Sequence, residues 1–401
     1  MASATRSVAG SRMPLPRRKM SFSTLTGPWF ACTLEERSGG PQGFDIKVLD
    51  MSTPYLWTRT IRPGGPRPVV LLLPGQGSQY AGMATELYRN DSVFTAAMDE
   101  VFGLMGPEGE EIRLDWLGET ELIDIDDVRR AQPLLFAVDY ALAQMILSWG
   151  VEPVALLGHS AGELVAATLA GVFSLPDAVR SQMERVHQAV LIPHGGMLAI
   201  AATDAQVRPY LFGDVAIAAV NASRQVMLAG PTDQLRYVER RLREDDFVVA
   251  GVPATSPFHC PAMAPAAEAC QQQLGSVQLN APQTTIYSGY TGDILTTKEA
   301  LMPEFWAWQV VDTVYFGPAL EQLLSNSDVL MVETGPGQTL TAFARRHRAV
   351  RAGASDIISM LPGRRRETEA ALTTANKIWV EGHDLDIDRL NPLLGVAAAA
   401  T

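Results

Sequence analysis

A serine becomes a nucleophile when the backbone holds its hydroxyl clear of its neighbours, and Gly158-His159-Ser160-Ala161-Gly162 has the G-x-S-x-G spacing that does this. Small residues at both ends permit a tight turn with close backbone approach. Glu163-Leu164-Val165-Ala166-Ala167 then suits the start of a helix. Ser160 is the candidate nucleophile, against the plainer alternative of a structural helix start. Its hydroxyl needs a proton acceptor, and the chain has six histidines. His159 sits beside Ser160, where an elbow directs neighbouring side chains differently, so an orienting or packing role is expected for it. His187 and His194 flank an apolar helix end, His347 lies in the basic run Arg345-Arg346-His347-Arg348, and His383 is near the carboxyl end. His259 lies in the proline-punctuated loop Thr255-Ser256-Pro257-Phe258-His259-Cys260-Pro261, and a loop histidine can cross a fold to reach a serine. His259 is the candidate base, although separation along the chain does not establish contact.

These residues need a scaffold. Val69-Val70-Leu71-Leu72-Leu73 reads as a buried strand delivering the loop Pro74-Gly75-Gln76-Gly77-Ser78-Gln79 at its carboxyl end. A helix is expected from Pro133, with proline early in its first turn, to a stop at Gly150. Val154-Ala155-Leu156-Leu157 is the strand leading into the elbow, giving strand, turn, helix. Met197-Leu198-Ala199-Ile200, residues 215–220 and Val226-Met227-Leu228-Ala229 read as further short strands. With 401 residues and 47% hydrophobic content, one large α/β domain carrying a smaller one is within reach.

Forty-four acidic against 32 basic residues give a net charge of -12, which opposes non-specific attraction to phosphate backbones, so nucleic acid is not the default partner. Three cysteines without a CxxC pair offer no zinc framework and fit a reducing compartment. Asp139, Glu152 and Glu163 interrupt the apolar runs around the elbow, so no membrane span is expected, and a cytoplasmic location is. The first forty residues, with Arg6, Arg12, Arg17 and Arg18 but also Pro14 and Pro16, look like a tail or linker.

Taken together, Gly75-Gln76-Gly77-Ser78-Gln79, the elbow, Arg185 followed by Gly195-Gly196-Met197, Asn221-Ala222-Ser223, Phe258-His259 and Glu333-Thr334-Gly335-Pro336-Gly337 resemble, in order, the malonyl-CoA to acyl-carrier-protein transacylase family, including polyketide-synthase acyltransferase domains. The resemblance spans residues 67 to 390. It implies an α/β-hydrolase-like large domain over 67–196 and 257–345, with an inserted ferredoxin-like subdomain over 197–256. Residues 1–66 would be an N-terminal tail or linker and 346–401 a C-terminal linker.

The resemblance also implies roles. Ser160 carries the acyl group and His259 is its base, oriented by a backbone carbonyl near Glu333 to Gly335 rather than by an acidic side chain. The N–H groups of Gln76 and Ala161 form the oxyanion hole, and Arg185 grips the free carboxylate of a malonyl unit. His159, Asn221 and Phe258 shape the pocket. Ser256-Pro257-Phe258-His259 departs from the family's malonyl-type HAFH at its first position, while Phe258 keeps the bulk associated with malonyl. CoA enters as a thioester substrate, no prosthetic group or metal is implied, and the partner is a phosphopantetheinylated acyl carrier protein of a polyketide or fatty-acid system. An acyl-thioester hydrolase or editing enzyme is the alternative, and a noncatalytic carrier-docking domain a further one.

Overall fold

The computed structural model describes residues 30–36, 44–50, 56–60, 65–118, 123–325, 328–364 and 366–399. They belong to two compact units, Met1–Pro63 and Gly64–Thr401. In the first unit, β1 (Phe30–Glu36), β2 (Phe44–Asp50) and β3 (Leu56–Thr60) form an antiparallel meander with Phe30 opposite Asp50 and Asp45 opposite Thr60. This corrects the expectation of a tail or linker over 1–66. Phe44-Asp45-Ile46-Lys47-Val48 alternates apolar and polar types with the period of a strand, a signal hidden by the Ser, Gly and Pro around it. The tail expected over 1–29 lies outside the described residues.

The second unit begins at the predicted strand. β4 (Val69–Leu73) is buried at every position and β5 (Ala155–Gly158) pairs parallel to it, with Leu73 opposite Gly158. A run of Val and Leu with no polar alternation suits a strand covered on both faces. Each such side chain contributes about 1.5–3 kcal/mol by leaving water. Between the two strands runs the helix Val128–Ser148, longer than predicted: Asp127 caps it through Arg129 N, so Pro133 falls inside it rather than in its first turn. The Arg129 carbonyl that Pro133 cannot bond accepts instead from the Arg130 guanidinium at 3.4 Å.

The insertion contains β6 (Gly195–Ile200), β7 (Ala216–Ala222), β8 (Gln225–Pro231) and β9 (Val249–Val252). Their order, β7-β8-β6-β9, is antiparallel throughout, with helical turns between β6 and β7 and the helix Thr232–Glu244 between β8 and β9. This is the βαββαβ, ferredoxin-like arrangement. Leu235, Val238 and Leu242 form the helix's apolar stripe and pack on Leu198, Ile200, Val226 and Leu228. Its first strand starts two residues before the expected boundary at 197, and Gly195 N donates to Thr255 O at 3.1 Å, fastening the two ends of the insertion together.

The chain then returns to the large sheet through β10 (Thr285–Ser288), β11 (Asp293–Ile294), β12 (Leu330–Pro336) and β13 (Asp356–Leu361). The completed order is β11-β10-β5-β4-β12-β13, parallel except at the β11 edge. The expectation that 346–401 is a linker is therefore corrected: β13 closes the sheet, and the following helix Glu367–Val380 packs on it. That helix is also tied to the short helix Thr85–Asn90. Glu367 accepts from Ala84 N at 2.7 Å and Glu86 N at 2.9 Å, while Glu86 accepts from Glu367 N at 3.0 Å and Thr368 N at 3.3 Å. Each glutamate thus satisfies N–H groups that the other's helix leaves open at its start.

Candidate active site

Ser160 stands at the end of β5, on the turn into the helix Gly162–Leu169, with φ of 53°. A left-handed conformation is unfavourable for a residue with a Cβ, and the turn is held by packing from the β4 side. A Cβ on Gly162 would lie 2.1 Å from Leu73 O, and one on Gly75 2.4 Å from His159 O. Glycine at these positions lets the Gln76 loop and the elbow touch.

His259 reaches Ser160 across the fold. Its Nε2 is 2.7 Å from Ser160 Oγ and its Nδ1 is 2.9 Å from Asp312 O. A carbonyl can only accept, so Nδ1 carries the proton and Nε2 offers a lone pair to the serine hydroxyl. His259 too has a left-handed backbone, φ 68°, held by its N–H on Val310 O at 2.7 Å. The orienting carbonyl is therefore not in the Glu333–Gly335 stretch. Those residues belong to β12, whose backbone is engaged with β4 and β13, and the Glu333 carboxylate accepts from Leu340 N and Thr341 N at 3.0 and 2.8 Å.

Burial lowers the His259 pKa to about 4, and the nearby His159 and Arg185 push the same way, against the Asp312 and Gln309 backbone contacts that raise it. The imidazole is thus neutral, the form able to take a proton, at every pH well above 4. Acylation measured by rapid quench against pH should keep its acid limb near pH 4, instead of the ~6.5 of free imidazole. An acid limb at the free-imidazole position would contradict this environment.

The remaining predicted residues gather around this pair. His159 places Nε2 2.8 Å from Asn221 Oδ1 and tilts its ring against Phe316, so a buried amide from β7 fixes the histidine beside the elbow. No acceptor engages the N–H of Gln76 or of Ala161 among the described residues. Gln76 is anchored by its side chain: Gln132 Nε2 donates to its Oε1 at 3.1 Å, and Gln182 Nε2 donates to Gln132 Oε1 at 3.1 Å. Phe258 is 4% exposed and packs with Val128, Val186, Met263 and Val310. It touches the site mainly through the neighbouring His259 ring.

Arg185 projects from the helix Leu175–Leu191 and is only 5% exposed. One terminal nitrogen donates to Trp306 O at 2.8 Å and to Gln309 Oε1 at 3.1 Å, while Nε has no partner. No carboxylate forms an ion pair with it among the described residues. Glu163 influences it electrostatically, but burial raises that carboxyl to about 8, so it is mostly protonated at neutral pH. A buried guanidinium without a counter-ion is costly, and the arrangement suits an anionic group brought by a ligand.

Four residues escaped sequence reasoning. Gln132 and Gln182 are buried polar residues on otherwise apolar helix faces, a signal that could have marked them. Asp312 acts through its carbonyl and Tyr290 through its position beside Ser160, and neither role has a residue-type signature.

The family model described as acyl transferase domain matches residues 70–384. A phenolphthiocerol/phthiocerol polyketide synthase protein of Mycobacterium tuberculosis is 37% identical over 280 residues, 70% of this chain but 19% of that protein. The spectinabilin polyketide synthase system protein NorB of Streptomyces orinoci is 30% identical over 370 residues, 90% of this chain and 17% of that protein. The chain therefore spans under a fifth of the length of these curated relatives. Among solved structures, the acyltransferase domain from the second module of the salinomycin polyketide synthase matches with TM-score 0.76 and 32% identity, over 84% of this chain and 78% of that one. FabD from Acinetobacter baumannii matches with TM-score 0.70 and 25% identity, over 79% of this chain and 99% of that one. The chain therefore belongs to the acyl transferase domain family, as an acyltransferase of the polyketide-synthase and FabD type.

Proposed function

We propose that this acyltransferase moves a malonyl-type unit from CoA to the phosphopantetheine thiol of an acyl carrier protein through an ester on Ser160. The observation that carries the substrate class is Arg185: a buried, carboxylate-free guanidinium in electrostatic contact with the site. Its planar fork can hold a carboxylate through two parallel hydrogen bonds, which favours a malonyl over an acetyl group.

The cycle follows from the geometry. His259 Nε2 takes the Ser160 proton as Oγ attacks the thioester carbonyl. The free N–H groups of Gln76 and Ala161 stabilise the resulting oxyanion, and the collapsing intermediate expels CoA thiolate, which receives the proton from His259. The carrier thiol then gives its proton to His259 and attacks the ester. Collapse releases acyl carrier protein and returns the proton to Ser160. No step requires a prosthetic group on this chain.

Incubation with malonyl-CoA and a phosphopantetheinylated carrier, followed by intact-protein mass spectrometry, should show malonyl appearing on the chain and then on the carrier. Free malonate released without carrier loading would support the hydrolase reading instead.

A further inference from the structure

Tyr290 lies on the turn after β10, half-buried beside the Ser–His pair. Its hydroxyl is within electrostatic reach of the Ser160 side chain and of Arg185. Its ring is 6.1 Å from that of His259 and meets Phe305 edge-on at 6.4 Å.

The turn that carries Tyr290 is clamped. Glu163, three residues after the nucleophile, accepts from Gly289 N at 2.8 Å and from Ser288 Oγ, while Tyr290 N donates to Ser288 Oγ at 3.1 Å. The residue therefore has rings on two sides and a backbone fixed to the elbow's own helix. It has little room to swing away when the site fills.

A malonyl unit bound as above has its carbonyl carbon at Ser160 and its carboxylate at Arg185, so its α-carbon lies between them. Tyr290 adjoins that span, its ring 6.1 Å from that of His259 at the Ser160 end and its hydroxyl within electrostatic reach of Arg185 at the other. We propose that Tyr290 sets the size limit for the substituent on the acyl α-carbon, its ring occupying the space a branch would need. This inference rests on the malonyl-type substrate assigned to the same site.

The test compares Tyr290→Phe, Tyr290→Leu and Tyr290→Val with wild type, measuring acyl-enzyme formation from malonyl-CoA and ethylmalonyl-CoA by intact-protein mass spectrometry. Wild type and Tyr290→Phe, which keeps the ring, should both discriminate against ethylmalonyl. Tyr290→Val should raise the ethylmalonyl-to-malonyl rate ratio by about 10-fold or more, the discrimination that one or two methylenes give in an apolar pocket. Tyr290→Leu should move the ratio the same way by less, and supplies the test should the valine variant not fold. A folded variant lacking the ring with an unchanged ratio, or a Tyr290→Phe shift as large as that of Tyr290→Val, overturns the inference. So does a wild type that accepts ethylmalonyl as readily as malonyl while Arg185 still selects for a carboxylate. A wild type acylated by acetyl-CoA as fast as by malonyl-CoA overturns the substrate class, and this inference with it.

Discussion

Ser160→Ala should leave a folded chain that forms no acyl adduct with any CoA thioester, with carrier loading reduced by at least about 10⁴-fold. The hydroxyl accounts for this because, among the described residues, the nucleophile facing His259 Nε2 is Ser160 Oγ at 2.7 Å. The buried thiols Cys260 and Cys270 offer no substitute. Burial raises each to about 11, so neither is ionised at neutral pH, and Cys260 Sγ is turned onto Pro257 O at 3.1 Å. His259→Ala should cost a similar factor, and the double variant little more than either alone, since the two groups act as one unit. Fold is checked by thermal melting, which for Ser160→Ala should stay level: alanine removes no core contact at that partly exposed position. A labelled Ser160→Ala chain would place the ester on another residue and end the assignment.

Arg185→Ala should reduce acylation by malonyl-CoA by about 10²–10⁴-fold, the range that brackets the ~3–5 kcal/mol lost when one member of a buried charge pair is removed. Acetyl-CoA, which brings no carboxylate, should be affected far less, so the malonyl-to-acetyl ratio is the quantity to read. Removing the guanidinium also leaves Trp306 O and Gln309 Oε1 without their donor. That loss lowers both rates together and cancels in the ratio. Arg185→Lys should recover only part of the selectivity, because a single ammonium cannot hold Trp306 O, Gln309 and both carboxylate oxygens in one plane. Equal losses for both donors would show that the residue supports the site's shape without choosing its substrate.

Local chemistry was the most legible part of the sequence. The elbow, its strand and its helix are contiguous, and glycines that must admit another backbone within 2.1–2.4 Å of a Cβ position are conspicuous. The short strands of the insertion are legible because they are apolar runs bounded by turns. What the sequence hides are features fixed by the far side of a contact. His259 could be paired with Ser160 only through the family likeness, since 99 residues separate them. The carbonyl behind His259, expected on β12, belongs to Asp312, because any residue carries a carbonyl and only the fold decides which one is free. Pro133 suggests a helix start, yet the Asp127 cap begins the helix five residues earlier. β13 is hard to see because Asp356-Ile357-Ile358-Ser359-Met360-Leu361 is bordered by Gly, Arg and Pro residues that read as linker.

The crossed pair of glutamates at positions 86 and 367 bears on how such a catalytic unit can be moved between larger assemblies. A graft cut at residue 345 would strip β13 from β12, baring a strand edge open to pairing with other chains. It would also strand Glu86 without the two amides that donate to it. The transferable piece therefore extends beyond the helix Glu367–Val380, past Glu381 and His383, which bond Arg67 beside β4, and a swap made beyond them keeps the transplanted body's last seam sewn to its first helix.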